Sequence, residues 1–409
     1  MDKDVKRRLV LIFGFVLIDL LGYSLILPLL PYYAEAYGAT VALVGLLGTS
    51  NALAQLIASP FIGRFSDRFG RRPLLIFCIV GTVLGFLLLA LARSVPMLFI
   101  SRVLDGFLGG NTSLARAYIS DVTDEKNRSR GLGIIGAAFG LGFTVGPAMG
   151  GLLSRLGYSV PAFVAAGLSA LNLIAVLIWL PESLPPERRG QVRQNPRTAI
   201  TAGALWEALH RPCSGPLLGV GLFFSLAFTL FQSNFALYAK EHLGLDVQST
   251  SFVLTYVGIL SVLVQGFAIG KLTDRFSERR LISMAILILI VAFVAWGFAP
   301  NVWVLLIVLA PIALAAGVLG VAITSQLTKS VYQEEVGGTL GLSASLQTLS
   351  QIVTPGLGGL LLGSIGTWSL GVLAGLIMVW TFAFARRRVF AVSEEDMVGC
   401  RGMAASLKS

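Results

Sequence analysis

Charge is scarce in this 409-residue chain: Asp, Glu, Lys and Arg together make up 13%, about half the ~25% of a soluble domain. That shortage excludes a disordered polyelectrolyte and speaks against a soluble multidomain enzyme. Histidine is almost missing, with only His210 and His242, far apart. The three cysteines, Cys78, Cys213 and Cys400, are too widely separated for a disulfide framework or a zinc site. No nucleotide loop, metal-ligand cluster or nucleophile–base spacing occurs, so neither a cofactor nor catalysis is expected. What the chain has instead is apolar residues, 55% of the total, and 46 glycines without a collagen-like period. Membrane helices tolerate glycine better than soluble ones.

A span needs roughly 20 mainly apolar residues to cross the ~30 Å hydrocarbon core. Twelve such segments fall near 9–31, 40–62, 73–92, 95–119, 131–153, 158–180, 216–239, 249–270, 281–299, 301–325, 338–362 and 366–385. They are too long and too uniformly apolar for barrel strands, which predicts an all-α, multi-pass membrane protein. The first is too long for a secretory signal, carries Asp19 and Pro28, and is followed by no small-residue cleavage site. Of the 31 Lys and Arg residues, Arg93, Arg155 and Lys240 fall on one side and Arg102 deep within a span; all the others, with Arg116 at the far end of its span, fall on the opposite side. The positive-inside rule places that basic side, with both termini, in the cytoplasm. The formal charge of +10 therefore orients the chain in a bilayer, expected to be the cell's inner (plasma) membrane, and is no nucleic-acid footprint. The Pro-, Arg- and Gln-rich stretch 181–215 reads as a cytoplasmic linker between a first half, 1–180, and a second, 216–386. The polar tail, 387–409, is expected to be disordered.

An internal repeat supports that division. The loop from Gly63 to Arg72 contains Gly63, Asp67, Arg68, Gly70, Arg71 and Arg72; Gly270 to Arg280 echoes it with Asp274 and Arg275, and the two aspartates lie 207 residues apart. Gly146-Pro147 with Gly150-Gly151 is echoed by Pro355 with Gly358-Gly359, the prolines 208 apart. Two motif pairs at one offset point to duplication of a six-span unit, and parallel repeats of that size are a secondary-transporter architecture.

On these motifs the chain resembles the major facilitator superfamily over nearly its whole length. The Gly-x-x-x-Asp-Arg-x-Gly-Arg-Arg loop is specific to that superfamily. Gly142-x-x-x-Gly146-Pro147-x-x-Gly150-Gly151 is similar to the motif that marks its antiporters. Leu21-Gly22 followed by Pro28 and Pro31 resembles the twelve-span drug:proton antiporter branch, and Asp19 and Arg102 sit where tetracycline exporters carry such residues. Spans 3 and 9 hold no acidic residue and span 8 no histidine, where those exporters use charged groups, so the resemblance implies the branch rather than its substrate. It also implies that the Gly63–Arg72 loop latches the two halves on the cytoplasmic side in the outward-facing state.

Charges inside a span are functional candidates by default. Asp19 lies eleven residues past Arg8 and Asp105 eleven past Ser94, each ~16 Å along a helix, and Arg102 and Asp105 share a face at i, i+3. In the superfamily fold, spans 1, 4, 7 and 10 line the central cavity, which would bring Asp19 towards Arg102. Two acids and one base leave one unpaired negative charge, as a proton carrier requires. Asp19 is the expected carrier, Arg102 its counter-charge and Asp105 the orienter or second carrier; the plainer alternative is a permanent ion-pair network that fixes packing. Glycines 142, 146 and 150 share one helix face and permit close approach, with Pro147 a bend, so this segment is expected to act as hinge or seal. The second half has no embedded charge. Its polar residues Gln232, Asn234, Tyr256, Gln347 and Gln351, with Phe231 and, from the first half, Asn51, Gln55 and Asn111, form the expected substrate cavity. The leading functional reading is a monomeric, proton-coupled exporter of amphipathic small molecules. A metabolite importer or facilitator and a lipid translocase are the alternatives.

Overall fold

In a bilayer the backbone has no water to bond with, and a helix satisfies its own N–H and C=O groups. The computed structural model describes residues 3–123, 125–185, 189, 202–211, 214–264, 272, 275–331 and 336–390. These are helical almost throughout, with no strand among them. In chain order the helices are α1 (Lys3–Ile26), α2 (Leu30–Ala36), α3 (Val41–Phe69), α4 (Arg71–Ala90), α5 (Val95–Leu108), α6 (Asn111–Val122), α7 (Glu125–Leu153) and α8 (Ser159–Trp179). They continue as α9 (Ala202–His210), α10 (Ser214–Leu243), α11 (Val247–Leu263), α12 (Glu278–Gly297), α13 (Val302–Lys329), α14 (Val336–Ser364) and α15 (Trp368–Arg388). Among the described residues, nine helices are long and apolar enough to cross a membrane.

Two of the predicted spans are divided. The segment expected at 9–31 ends as α1 at Ile26, turns through residues 27–29, and resumes as α2. Pro28 offers no N–H and disfavours helical geometry at Leu27, while Pro31 is tolerated in the first turn of α2. The segment expected at 95–119 is two helices, α5 and α6, separated by Gly109-Gly110. Each glycine costs a helix interior about 1 kcal/mol relative to alanine. Gly110 also occupies a tight place, since a Cβ there would come within 2.8 Å of Ile62. The span expected at 249–270 is described only as α11, and that at 338–362 lies within α14.

The described residues divide into two compact units, one within Met1–Gln194 and Ala239–Ile259, the other within Asn195–Tyr238 and Leu260–Ser409. In the first, α1 packs along α7 and α8, α4 against α8 and α5, and α3 against α5. Its core joins Ile12, Phe15 and Val16 of α1 to Leu75 and Ile79 of α4 and to Leu114 and Tyr118 of α6. The segment Ala239–Ile259 is tied to this unit by polar contacts: Lys240 pairs with Glu35, the Tyr32 and Thr250 hydroxyls bond at 2.7 Å, and Arg155 Nε donates to Gln248 Oε1 at 2.6 Å. In the second unit α12 packs against α13 and α15. There Phe231, Phe235 and Tyr238 of α10 form an aromatic cluster with Phe293 and Trp296 of α12, the closest ring centroids 4.7 Å apart. Apolar side chains also face outward, among them Phe77, Leu84, Leu91, Ile174 and Ile178. Lipid accepts them, so van der Waals fit, more than water exclusion, selects the helix contacts.

Candidate functional site

The embedded charges lie in the first unit, and two of the three are deeply buried. Arg102 is 3% exposed and Asp105 7%. Helical spacing brings them together on α5, with Arg102 Nη1 3.4 Å from Asp105 Oδ2. Asn51 of α3 fixes the pair from outside, its Nδ2 donating to Asp105 Oδ2 at 3.2 Å and to the Arg102 carbonyl at 2.9 Å. This proximity depends on small residues. A Cβ on Gly106 would strike the backbone of Asn51, and one on Gly85 would lie 3.0 Å from Asp105 Cβ. The Phe86 ring lies 5.6 Å from the Arg102 guanidinium carbon, close enough for a cation–π contribution. Arg102 Nε and Nη2 are buried and have no partner among the described residues.

Asp19 does not join that pair. Its Oδ1 accepts a hydrogen bond from Asn111 Nδ2 at 2.6 Å, and it makes no ion pair with Arg102. The amide also donates to Thr82 Oγ1 at 3.1 Å. The unexpected α5–α6 break therefore matters chemically, because Asn111 is the first residue after it. Gln55, expected in the substrate cavity, instead donates to the Gly109 carbonyl at 3.0 Å, satisfying a group that the break releases.

The loop expected as a latch is a polar knot at the junction of α3 and α4. Gly70 has φ +107°, a conformation that favours glycine, and a Cβ there would strike the Glu182 carboxylate. Glu182 accepts from the backbone N–H groups of Arg71 and Arg72 at 2.9 and 3.2 Å, capping α4 with a carboxylate at its positive end. The Arg71 guanidinium reaches Asp67 at 2.6 Å, Asp121 at 3.0 Å and Ser66 Oγ at 2.5 Å. Arg72 Nη2 donates to the Leu177 carbonyl at 2.6 Å. Asp67 keeps 59% of its side chain exposed, and Arg68 Cζ lies 5.4 Å from the Phe69 ring. Gly63 has open space around it. In the second repeat Arg275 is exposed, and Asp274 lies outside the described residues.

The small-residue face of α7 lies directly on α1. A Cβ on Gly142 would come within 3.0 Å of Leu20 Cβ, and one on Gly146 within 3.0 Å of the Leu25 backbone nitrogen. A Cβ on Gly150 would strike the Leu25 carbonyl, and one on Gly151 would meet Ser251 of α11. Ser24 Oγ donates to the Gly142 carbonyl at 2.8 Å, next to the ladder position that Pro147 leaves open.

The residues expected to line a substrate cavity separate into committed and available ones. Phe231 is 2% exposed within its aromatic cluster. Asn234 is buried, its Nδ2 donating to the Thr354 carbonyl of α14 at 3.2 Å. Gln232 and Tyr256 are partly exposed, and Gln347 and Gln351 exposed. Asp121, Glu182 and Ser24 were missed from the sequence. All three act across long sequence separations, where no local spacing marks them.

A model described as the Major Facilitator Superfamily matches residues 12–264 and 217–396. Multidrug resistance protein 2 of Bacillus subtilis (strain 168) is 28% identical over 391 residues, covering 92% of this chain and 96% of its own. The class E tetracycline resistance protein of Escherichia coli is 30% identical over 372 residues, 87% of each chain. The solved structure of the human organic anion transporter MFSD10 aligns with a TM-score of 0.72 at 24% identity, over 94% of this chain and 100% of that one.

Proposed function

The chain belongs to the major facilitator superfamily, a family of membrane transporters rather than enzymes, and we propose that it exports amphipathic small molecules, drugs among them, in exchange for protons by alternating access. The observation that carries this reading is Asp19, an acid within an apolar helix whose hydrogen-bond partner is an amide and which has no cation as ion-pair partner among the described residues. A permanently ionised group there would be expensive; a carboxyl that takes up and releases a proton each cycle has a use for that setting. The names of the resistance relatives support export of drug-like cargo.

In this reading Asp19 carries the proton. Arg102 and Asp105 form a neutralised pair, with the two free guanidinium nitrogens of Arg102 supplying positive potential beside it. The Gly63–Arg72 loop stabilises closure on the cytoplasmic side, where both termini lie, and the glycine face of α7 against α1 serves as hinge or seal. Two six-span halves, 1–180 and 216–386, joined by the linker 181–215, act as one monomer in the inner membrane. Gln232, Tyr256, Gln347 and Gln351 are the polar contacts left for cargo.

The energetics suffice without ATP. One proton falling through 100 mV releases ~2.3 kcal/mol and one pH unit adds ~1.4 kcal/mol. Together these sustain a gradient of several hundredfold for a neutral substrate at one proton per cycle, at ~1.4 kcal/mol per tenfold.

A susceptibility and accumulation panel in an efflux-deficient bacterial host identifies the cargo. Adding it to proteoliposomes that hold a pH dye then reads coupling. Proton flux opposite to substrate, abolished in Asp19→Asn while substrate still binds, is the expected result. Flux in the same direction would make the protein a symporter. Transport with no proton flux would favour a metabolite facilitator or a lipid translocase.

A further inference from the structure

We propose that Asn111 is the positioning residue for Asp19, holding its carboxyl in both protonation states through an amide that donates to the carboxylate and accepts from the acid. This deepens the reading of Asp19 as proton carrier and rests on it.

The argument begins with the demands of such a carrier. Ionised, Asp19 needs a donor; protonated, its O–H needs an acceptor, and no water column can be assumed in an apolar bundle. A cation serves only the first state and a backbone carbonyl only the second. A side-chain amide serves both, because it bears two donors and an acceptor on one freely turning group.

Asn111 has that chemistry and the geometry to use it. It is 3% exposed. Its Nδ2 donates to Asp19 Oδ1 at 2.6 Å and to Thr82 Oγ1 at 3.1 Å, which occupies both N–H bonds. Its Oδ1 is buried and has no partner among the described residues. An unsatisfied buried acceptor is uncommon enough to need a reason. Here the reason is the second state: half a turn about the Cβ–Cγ bond presents Oδ1 to the newly formed O–H of Asp19. The proton itself comes from water on one side and returns to water on the other, and the amide neither gains nor loses one.

Placement makes the contact selective. Asn111 opens α6 immediately after Gly109-Gly110, and the break is held by Gln55 on the Gly109 carbonyl. Asp105 and Arg102, the other charged groups of this interior, are engaged with each other and with Asn51.

Infrared difference spectroscopy between acid and alkaline pH, on the full chain in phosphatidylcholine bilayers, tests this without any cargo. The carboxylic C=O band that disappears in Asp19→Asn belongs to Asp19. In Asn111→Leu, of similar volume but without hydrogen-bonding atoms, that band is expected to move to higher wavenumber. Asn111→Gln is expected to bring most of it back, a rescue that simple space-filling does not produce. Should Asn111→Leu not fold, Thr82→Val removes the amide's second anchor isosterically and is expected to broaden the same band. An unchanged Asp19 band in whichever of these two variants folds overturns the proposal. If Asp19→Asn removes no band, Asp19 does not protonate and the carrier reading itself falls.

Discussion

The two repeats share their joints but not their interior. Tyr33, in α2, donates to the Leu89 and Ala92 carbonyls at the end of α4, both at 3.1 Å. At an offset of 205–207 residues, Tyr238 of α10 donates to the Trp296 carbonyl of α12 at 2.6 Å. Arg71 at the start of α4 pairs with Asp121 near the end of α6, 3.0 Å apart. Offset by 207 and 208 residues, Glu278 at the start of α12 pairs with Lys329 at the end of α13, 2.7 Å apart. The clamp is kept with its charges exchanged. Where an ion pair serves only to tie two helix ends, either polarity does, since Coulomb attraction is symmetric in sign. The positions 207 residues after Asp19, Arg102 and Asp105 hold Leu226, Leu309 and Ile312, and the last two are fully buried apolar residues. These matched offsets are what duplication of a scaffold would leave, while the embedded ionisable residues Asp19, Arg102 and Asp105 lie in the first half of the sequence.

The comparison breaks most visibly at the glycines. Gly150 of α7 has its counterpart, 208 residues on, in Gly358 of α14, but their neighbours differ in kind. An added Cβ on Gly150 meets the Leu25 backbone, as one on Gly146 does, whereas on Gly358 its nearest neighbours are the side-chain amide atoms of Asn234. Backbone cannot yield without moving a helix, whereas the Asn234 side chain can swing aside by giving up its hydrogen bond to the Thr354 carbonyl. Gly146→Ala and Gly150→Ala are therefore expected to cost about 1–3 kcal/mol, the range for overpacking, and Gly358→Ala less, about 1 kcal/mol, the worth of one hydrogen bond. Thermal unfolding midpoints in detergent decide it, and equal losses at Gly150 and Gly358 would remove the distinction.

How much of this was legible beforehand depends on the range of the interaction. Apolar runs of 20 residues mark helices in lipid, because length and hydropathy are local properties. The Arg102–Asp105 pair was legible for the same reason, since helical spacing alone brings i and i+3 together. Breaks at Pro28 and Gly109-Gly110 were in plain view, yet hydropathy averages across them. Asp19 was expected beside Arg102 and is held by Asn111 instead. That choice depends on how α1, α4 and α6 cross, which no spacing encodes. Phe231 was expected in the substrate cavity, but the rings of α12 cover it. Glu182 and Asp121 reach the Arg71 loop from segments 50 or more residues away.

The exchanged clamps allow a sharper test of what the first repeat adds. Arg71 is 12% exposed and also bonds Asp67, while Lys329 is 67% exposed. Arg71→Glu alone should cost about 1–3 kcal/mol, because Asp67, Asp121 and Glu182 then face a fourth acid. Lys329→Glu should cost about 1 kcal/mol or less, as exposed pairs do. Arg71→Glu with Asp121→Lys gives the first clamp the polarity of the second and should recover most of the stability. Transport should stay impaired, since Asp67 has lost its partner. If transport recovers in step with stability, the Arg71–Asp67 contact is a clamp and nothing more.

The smallest difference lies in the helix caps. Thr40 caps α3, its hydroxyl accepting from Leu43 N–H at 3.4 Å, and Asp246, 206 residues later, caps α11, accepting from Ser249 N–H at 2.9 Å. Hydrogen bonds from the side chain and backbone of Ser249, with Arg155 nearby, hold the Asp246 carboxyl below its ordinary value. A carboxyl depressed in the folded state stabilises it above the unfolded pKa, about 3.9. That contribution is lost as pH falls through the lower, folded value. Asp246→Ala should therefore lower the unfolding free energy by about 0.5–2 kcal/mol at pH 7, with the gap to wild type closing below about pH 4. Thr40→Ala, which removes a longer and uncharged cap, should cost about 0.5 kcal/mol and show no such closing. Asp246→Asn keeps the cap without the titration, so its curve should run parallel to that of Thr40→Ala. Unfolding midpoints in detergent between pH 3 and 7 measure all three. A gap between Asp246→Ala and wild type that persists unchanged to pH 3 would mean that packing at this end of α11, not the ionised cap, carries the effect.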